Sequence, residues 1–232
     1  MSNASGSRRL PRVADWDGMA AGAEARYRDG EGRVGAIEDP DTRQRQLTRM
    51  GNAAGAAGLA SLMRGRSEDA GAWFGRAAER YRESWRDAPR GSWGRPIGAI
   101  KALILGGDTV GAEDAARWAL EAGAEEAESP IGRYAASLAL LVLGRDHDAR
   151  HVAATIRDRD DFPAAVADAL ATIAAGDRIG YLVAVEDVLE SFETRGEYLE
   201  DVPVADTVLV LQALAAKRGL DVELPHSELL PS

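Results

Sequence analysis

The chain has 232 residues, 45% of them hydrophobic and only 6% aromatic, with no cysteine and a formal charge of −10. That length suffices for one or two domains with a sizeable core, and the lack of cysteine excludes disulfides, thiolate nucleophiles and cysteine-held zinc or iron–sulfur centres. No apolar run approaches the roughly 18–20 residues needed to span a bilayer. Alanine supplies much of the hydrophobic content, and its high helix propensity, with few β-branched or aromatic clusters, points to an all-α fold.

The chain opens on MSNASGSRRLPR, two adjacent arginines with no apolar segment behind them, unlike a secretion signal. Residues 1–12 read as a disordered tail and 13–232 as a single all-α domain of about ten helices in a cytoplasmic protein. A first helix is predicted from Val13 to Arg28, followed by a loop, Asp29 to Asp41, expected to be mobile. Asp39-Pro40 supplies a cap and a first-turn proline for a helix running to about Arg64. Ser67 reads as the cap of the next, with Glu68 and Asp69 where the helix dipole favours anions. Ser129-Pro130, Asp161-Phe162-Pro163 and Val202-Pro203 open later helices, and Gly219 closes the last apolar run.

Aligning the chain on Gly65, Gly107, Gly144 and Gly176 exposes a repeat. Leu62, Ile104, Leu141 and Ile173 stand three residues before these glycines; Ser61, Leu103, Leu140 and Thr172 stand four before. After the turn, the same three offsets give Trp73, Phe74 and Ala77; Ala115, Ala116 and Ala119; Val152, Ala153 and Ile156; and Ala184, Val185 and Val188. The spacings are 42, 37 and 32 residues, near the roughly 34 of a tetratricopeptide unit. GRSEDAGAWFGRAAERY and its preceding helix resemble a tetratricopeptide hairpin. The reading is therefore an α-solenoid of antiparallel helix hairpins, tetratricopeptide-like because later units lack that family's tyrosine and proline positions. Hairpins of this kind bury their apolar faces only by stacking on neighbours.

Charge divides unevenly: residues 1–100 carry net +4 and residues 101–232 net −14. Of the 28 basic residues only Lys101 and Lys217 are lysine. Genome composition, or adaptation to salt, is one explanation; an acidic face that attracts a basic partner is the other. Either way the acidic half argues against nucleic acid, whose binding needs cations.

Candidate chemistry is sparse. GRDHDARH places His147 and His151 four residues apart beside Asp146 and Asp148, a conceivable metal site. The glutamate of HExxH is missing, however, and solvated histidines at a helix start explain the segment as well. His226 falls in a tail that has left the repeat, and Gly106 to Gly111 lacks the lysine and strand of a phosphate loop. No metal or other cofactor is expected. Between Arg76 and Arg95, arginines alternate with Tyr81, Trp85 and Trp93. Tyr81 and Trp73 read as core, and Glu79 and Glu83 as helical partners of Arg82 and Arg86. Trp85, Arg86, Arg90 and Trp93 read as the exposed aromatic–arginine set that an interface would use. Glu125, Glu126, Asp158 and Asp160, in acidic stretches at hairpin junctions, are the candidate contacts for a basic partner.

The run FPAAVADALATIAAGDRIGYLVAVEDVLESF, then VADTVLVLQALAAKRGLDVELPHSELLP, resembles the Immunity protein 49 family. The shared features are a helix ending in Gly176-Asp177, Tyr181 opening an amphipathic helix, an apolar helix closing at Gly219, an extended DVEL and a leucine–proline end around Leu229 to Pro231. The likeness covers residues 162–232; residues 40–160 share only helix layout. It implies an all-helical, non-enzymatic protein that neutralises a bacterial toxin by binding it, with no catalytic residues to carry over. The expectation is therefore a protein-binding helical-repeat protein, an immunity protein whose partner is a basic toxin. The alternatives are a peptide-binding adaptor that uses its groove and a metal-dependent enzyme at His147/His151.

Overall fold

The computed structural model describes residues 14–231. Among these are ten α-helices and no strand. The helices are α1 (Trp16–Val34), α2 (Pro40–Met63), α3 (Ser67–Trp85), α4 (Gly94–Leu105), α5 (Thr109–Glu121), α6 (Pro130–Val142), α7 (Asp146–Arg157), α8 (Ala164–Ala175), α9 (Arg178–Thr194) and α10 (Asp206–Ala216). The chain is an all-α array of antiparallel hairpins: α2–α3, α4–α5, α6–α7 and α8–α9 each fold on themselves and pack on the next.

One turn builds all four hairpins. Gly65, Gly107, Gly144 and Gly176 take left-handed φ values of 69°, 73°, 70° and 68°. Nothing lies near where a side chain on them would go, so backbone conformation alone selects glycine. Each glycine N–H donates to the carbonyl three residues back, on Leu62, Ile104, Leu141 or Ile173. The next N–H, from Arg66, Asp108, Arg145 or Asp177, donates to Ser61, Leu103, Leu140 or Thr172. This is the Schellman arrangement, which satisfies the last carbonyls of a helix. The residue after each glycine is also the N-cap of the second helix, so the turn is very short. Asp108 and Asp177 complete the cap by accepting from the N–H of Gly111 (2.8 Å) and Gly180 (2.9 Å). The twelve residues aligned after the turns are all buried, whereas before them Leu141 and Ile173 are buried and Leu62 and Ile104 half-buried.

Several boundaries differ from the sequence expectation. The tail over 1–12 and the start at Val13 lie outside the described residues; α1 begins at Trp16, where Asp15 caps it through the Gly18 N–H. The expected loop from Asp29 is helical to Val34, because α1 lies so close to α2 that a Cβ on Gly30 would sit 2.5 Å from Met50 Cγ. That packing outweighs the low helix propensity of Gly30 and Gly32. The connection to α2 is thus only residues 35–39, and Asp39 caps α2 as expected, accepting from Thr42 N–H at 2.8 Å. Ser67 is the first residue of α3 and not its cap, which is Arg66. Pro163 directly precedes α8, but Pro203 stands three residues ahead of α10, in an extended stretch.

α2 carries the most burial, from Met50 to Ser61 almost without a break. Its GNAAGAAGLAS run is small on every side, which lets rings from neighbouring helices seat on its backbone. Tyr81 rests against Gly51 and Gly98, and Phe74 against Gly58, all closer than a methyl group would allow. α1 closes this end of the array: Tyr27 meets Trp73 edge-on at 5.4 Å and accepts a hydrogen bond from Arg80 (3.2 Å).

Candidate functional site

The first helices of the hairpins, α2, α4, α6 and α8, touch one another in a row. In a solenoid this face would be the groove open to a ligand. Here the chain's own C-terminal segment covers it. After α9 the backbone leaves the array along residues 195–205, crosses α2 through a tight left-handed turn at Leu199–Asp201, and delivers α10 onto α4, α8 and the inner side of α9. No residue from Val202 to Ala215 is exposed. α10 is apolar almost all round, and such a helix is stable only when enclosed.

Polar anchors hold this segment in place. Lys101 on α4 bonds Asp206 (2.6 Å) and Thr207 Oγ1 (3.0 Å), while Arg218, just past α10, pairs with Asp146 and donates to Leu141 O at 2.7 Å. The Lys101 side chain is only 16% exposed. Burial opposes its charge most strongly, but the Asp206 carboxylate and the Tyr134 phenol together outweigh that and hold its pKa above the ordinary lysine value. Ala205 N–H donates to Leu229 O, which ties the tail back over α10 (2.9 Å). Glu200 and Asp201 adopt φ of 51° and 62°, unusual for residues with side chains. Arg26 on α1 grips Glu200 at 3.1 Å, and Leu199 lies against Gly55.

Beside the crossing segment, α2, α3 and α4 leave a cleft of about 220 Å³ lined by Asn52, Phe74, Tyr81, Lys101, Leu199 and Asp206. Tyr81 donates to Asn52 Oδ1 (2.9 Å), and burial pushes its phenol pKa well above the ordinary value. The polar groups facing this cleft are matched to each other, so it presents a small apolar hollow and no activated acid, base or nucleophile.

The residues proposed for partner contact separate in the structure. Trp85 and Trp93 are not exposed: Trp93 is 8% exposed and Trp85 half-buried. Their rings lie 5.7 Å apart, Trp118 of α5 sits edge-on to Trp85 at 5.7 Å, and Trp93 packs on Gly132 of α6. The turn after α3 is thus an aromatic rivet through consecutive hairpins. Arg86 and Arg90 remain exposed beside it. Glu83 pairs with Arg80 and with Arg43 of α2 (both 2.7 Å), not with Arg86, and Arg82 lies over the Trp118 ring. Glu126, Asp158 and Asp160 are exposed, and half-buried Glu125 is taken by Arg145 at 3.0 Å.

His147 and His151 share the outer side of α7, His147 98% exposed. Asp146 is engaged by Arg218, and Asp148 by Arg145, whose hydrogen bond, followed by that from His147, holds the Asp148 carboxyl below its ordinary range. No group of three or more metal-ligating side chains occurs among the described residues. None of the described helices is long and apolar enough to cross a membrane.

Two features escaped sequence reasoning. Lys101 carried a usable signal, being one of two lysines among 28 basic residues, but its partner Asp206 lies 105 positions away. On α9, Ile179 and Val183 are 80% and 57% exposed, out of phase with the buried positions Ala184, Val185 and Val188. Fold and surface together define the class as a helical-hairpin repeat whose inner face is filled by its own C-terminus. Compared with protein-family models, with curated proteins and with solved structures, the chain matches none.

Proposed function

We propose that this chain is a non-enzymatic protein-binding helical-repeat protein whose partner carries positive charge. The observation that carries the reading is the state of its carboxylates. Of the 25 in residues 101–232, nine have an ion-pair partner among the described residues: Glu113, Asp114, Glu125, Asp146, Asp148, Asp161, Asp168, Glu200 and Asp206. The remainder project an uncompensated negative field from a rigid scaffold. Such a field speeds encounter with a basic protein and disfavours nucleic acid and anionic lipid. The resemblance of residues 162–232 to the Immunity protein 49 family supports a toxin as that partner.

A peptide-groove adaptor receives less support, because α10 occupies the face where a peptide would lie, and the remaining cleft of about 220 Å³ is small for one. A metal enzyme at His147/His151 receives less still, since both neighbouring aspartates are engaged by arginines. The test is co-expression with a toxin encoded beside this gene, followed by purification of the pair. Restored growth and a stoichiometric complex that weakens with salt are expected. A purified chain that leaves the toxin active and forms no complex would remove the antidote reading.

A further inference from the structure

α9 is the last helix of the array; α10 meets its inner side, and no further described helix covers the outer one, whose residues are exposed. Ile179, Val183, Glu186, Glu190 and Glu193 follow one another at steps of four and three residues, one straight stripe on a helix, and all are exposed. Two apolar residues head the stripe and three glutamates continue it. None of Glu186, Asp187, Glu190 and Glu193 has an ion-pair partner among the described residues. The two arginines of this stretch serve elsewhere: Arg178 donates to Asp221 O (2.9 Å), and Arg195 lies over the Phe192 ring.

Other helices of the chain treat such carboxylates differently. Glu24–Arg28, Asp29–Arg33, Asp41–Arg45 and Glu113–Arg117 are all neutralised one turn along. On α9, Glu186 meets Glu190 at that spacing and Glu190 meets Glu193 one step shorter, where like charges repel. A repulsive row beside two bare apolar side chains is a surface short of a partner with cations and an apolar end.

Resting on the protein-binding reading above, we propose that the outer face of α9 is the docking surface, and that its occupant is a basic amphipathic helix of the partner protein. That helix seats apolar side chains on Ile179 and Val183 and lays lysines or arginines along Glu186, Glu190 and Glu193. A second copy of this chain fits poorly: parallel pairing sets glutamate against glutamate, and antiparallel pairing sets Glu193 against Ile179.

The test uses the purified full chain and a synthetic helical peptide with leucines in its first heptad and lysines on the same face thereafter. Saturable binding that weakens with salt and shifts amide resonances between 179 and 193 is expected. Ile179→Ser with Val183→Ser, and separately Glu186→Lys with Glu190→Lys and Glu193→Lys, should each weaken it by roughly tenfold or more. Equal binding by these variants, equal binding of a scrambled basic peptide, or shifts confined to Glu126, Asp158 and Asp160 would overturn the assignment. So would self-association abolished by Val183→Ser, which would give the face to a second copy. Photo-crosslinkers placed at Val183 and at Asp158 in host extract separate the two ideas. A partner trapped from Asp158 alone leaves the protein-binding reading standing and removes this face; trapping from neither position removes both.

Discussion

The two ends of the array are finished differently. At the beginning, α1 lays Ala20, Ala23, Tyr27 and Gly30 on the first hairpin and turns its charged side outward. At the finish no described helix plays that part: the tail touches the start of α9 at Asp221, through Arg178, and Ile179 and Val183 stay in water. The reason lies in the helices available. α1 is apolar on one side only, so it can end a stack; α10, with Val208, Val210, Leu211 and Leu214 buried around its girth, cannot. Sent to the inner face, α10 closes the groove and leaves the far end open. A cap at one end and none at the other teach that the chain buries its groove and leaves the outer side of its last hairpin exposed.

The sharpest way to break this comparison is a matched pair of alanine substitutions. Tyr27→Ala should cost about 3–5 kcal/mol, the range for a large buried aromatic. Val183→Ala should stay within about 0.5 kcal/mol. Urea midpoints measure both, and a comparable loss at Val183 would mean that α9 is covered after all. Next in size is overpacking within the first hairpin. Gly58→Ala places a methyl 2.8 Å from the ring of buried Phe74 and should cost about 1–3 kcal/mol. Gly75→Ala, with open space around it, should instead stabilise by about 0.5–1 kcal/mol.

The turns ask whether the two ends share one construction. Gly65→Ala and Gly176→Ala force an L side chain into the same left-handed geometry, so each should cost about 1–2 kcal/mol by thermal melting. A large difference between them would show that the hairpins are not equivalent. A smaller effect than at the turns belongs to Tyr181, which is fully buried at the open end with its hydroxyl lacking a hydrogen-bond partner. Tyr181→Phe removes that unpaired group and should leave stability unchanged or raise it by up to ~1 kcal/mol in chemical denaturation. A clear loss would reveal a hydrogen bond at that hydroxyl.

Local signals were legible wherever a short stretch of chain decided the outcome. The glycine turns, the caps at Asp39 and Ser129 and the apolar positions after each turn all depend on residues within about a helical turn of each other. Gly30 shows where this fails: its own propensity argues for a break, and only the approach of Met50 from another helix keeps it helical. Trp85 and Trp93 failed for the same reason, since an aromatic–arginine stretch at a helix end looks alike whether it meets solvent or, as here, Trp118 and Gly132. Of the candidate contact residues, the acidic ones were found exposed or half-buried and the tryptophans internal.

By itself, then, the amino-acid order determined the all-α class, the four hairpins and the asymmetry of charge, because helix propensity, glycine turns and formal charge are properties of near neighbours. Only the tertiary structure decided that α10 abandons the row, that Lys101 finds Asp206 across the inner face, and that the far side of α9 stays bare. Those outcomes come from competition among distant surfaces for burial, and an all-round apolar helix wins the interior.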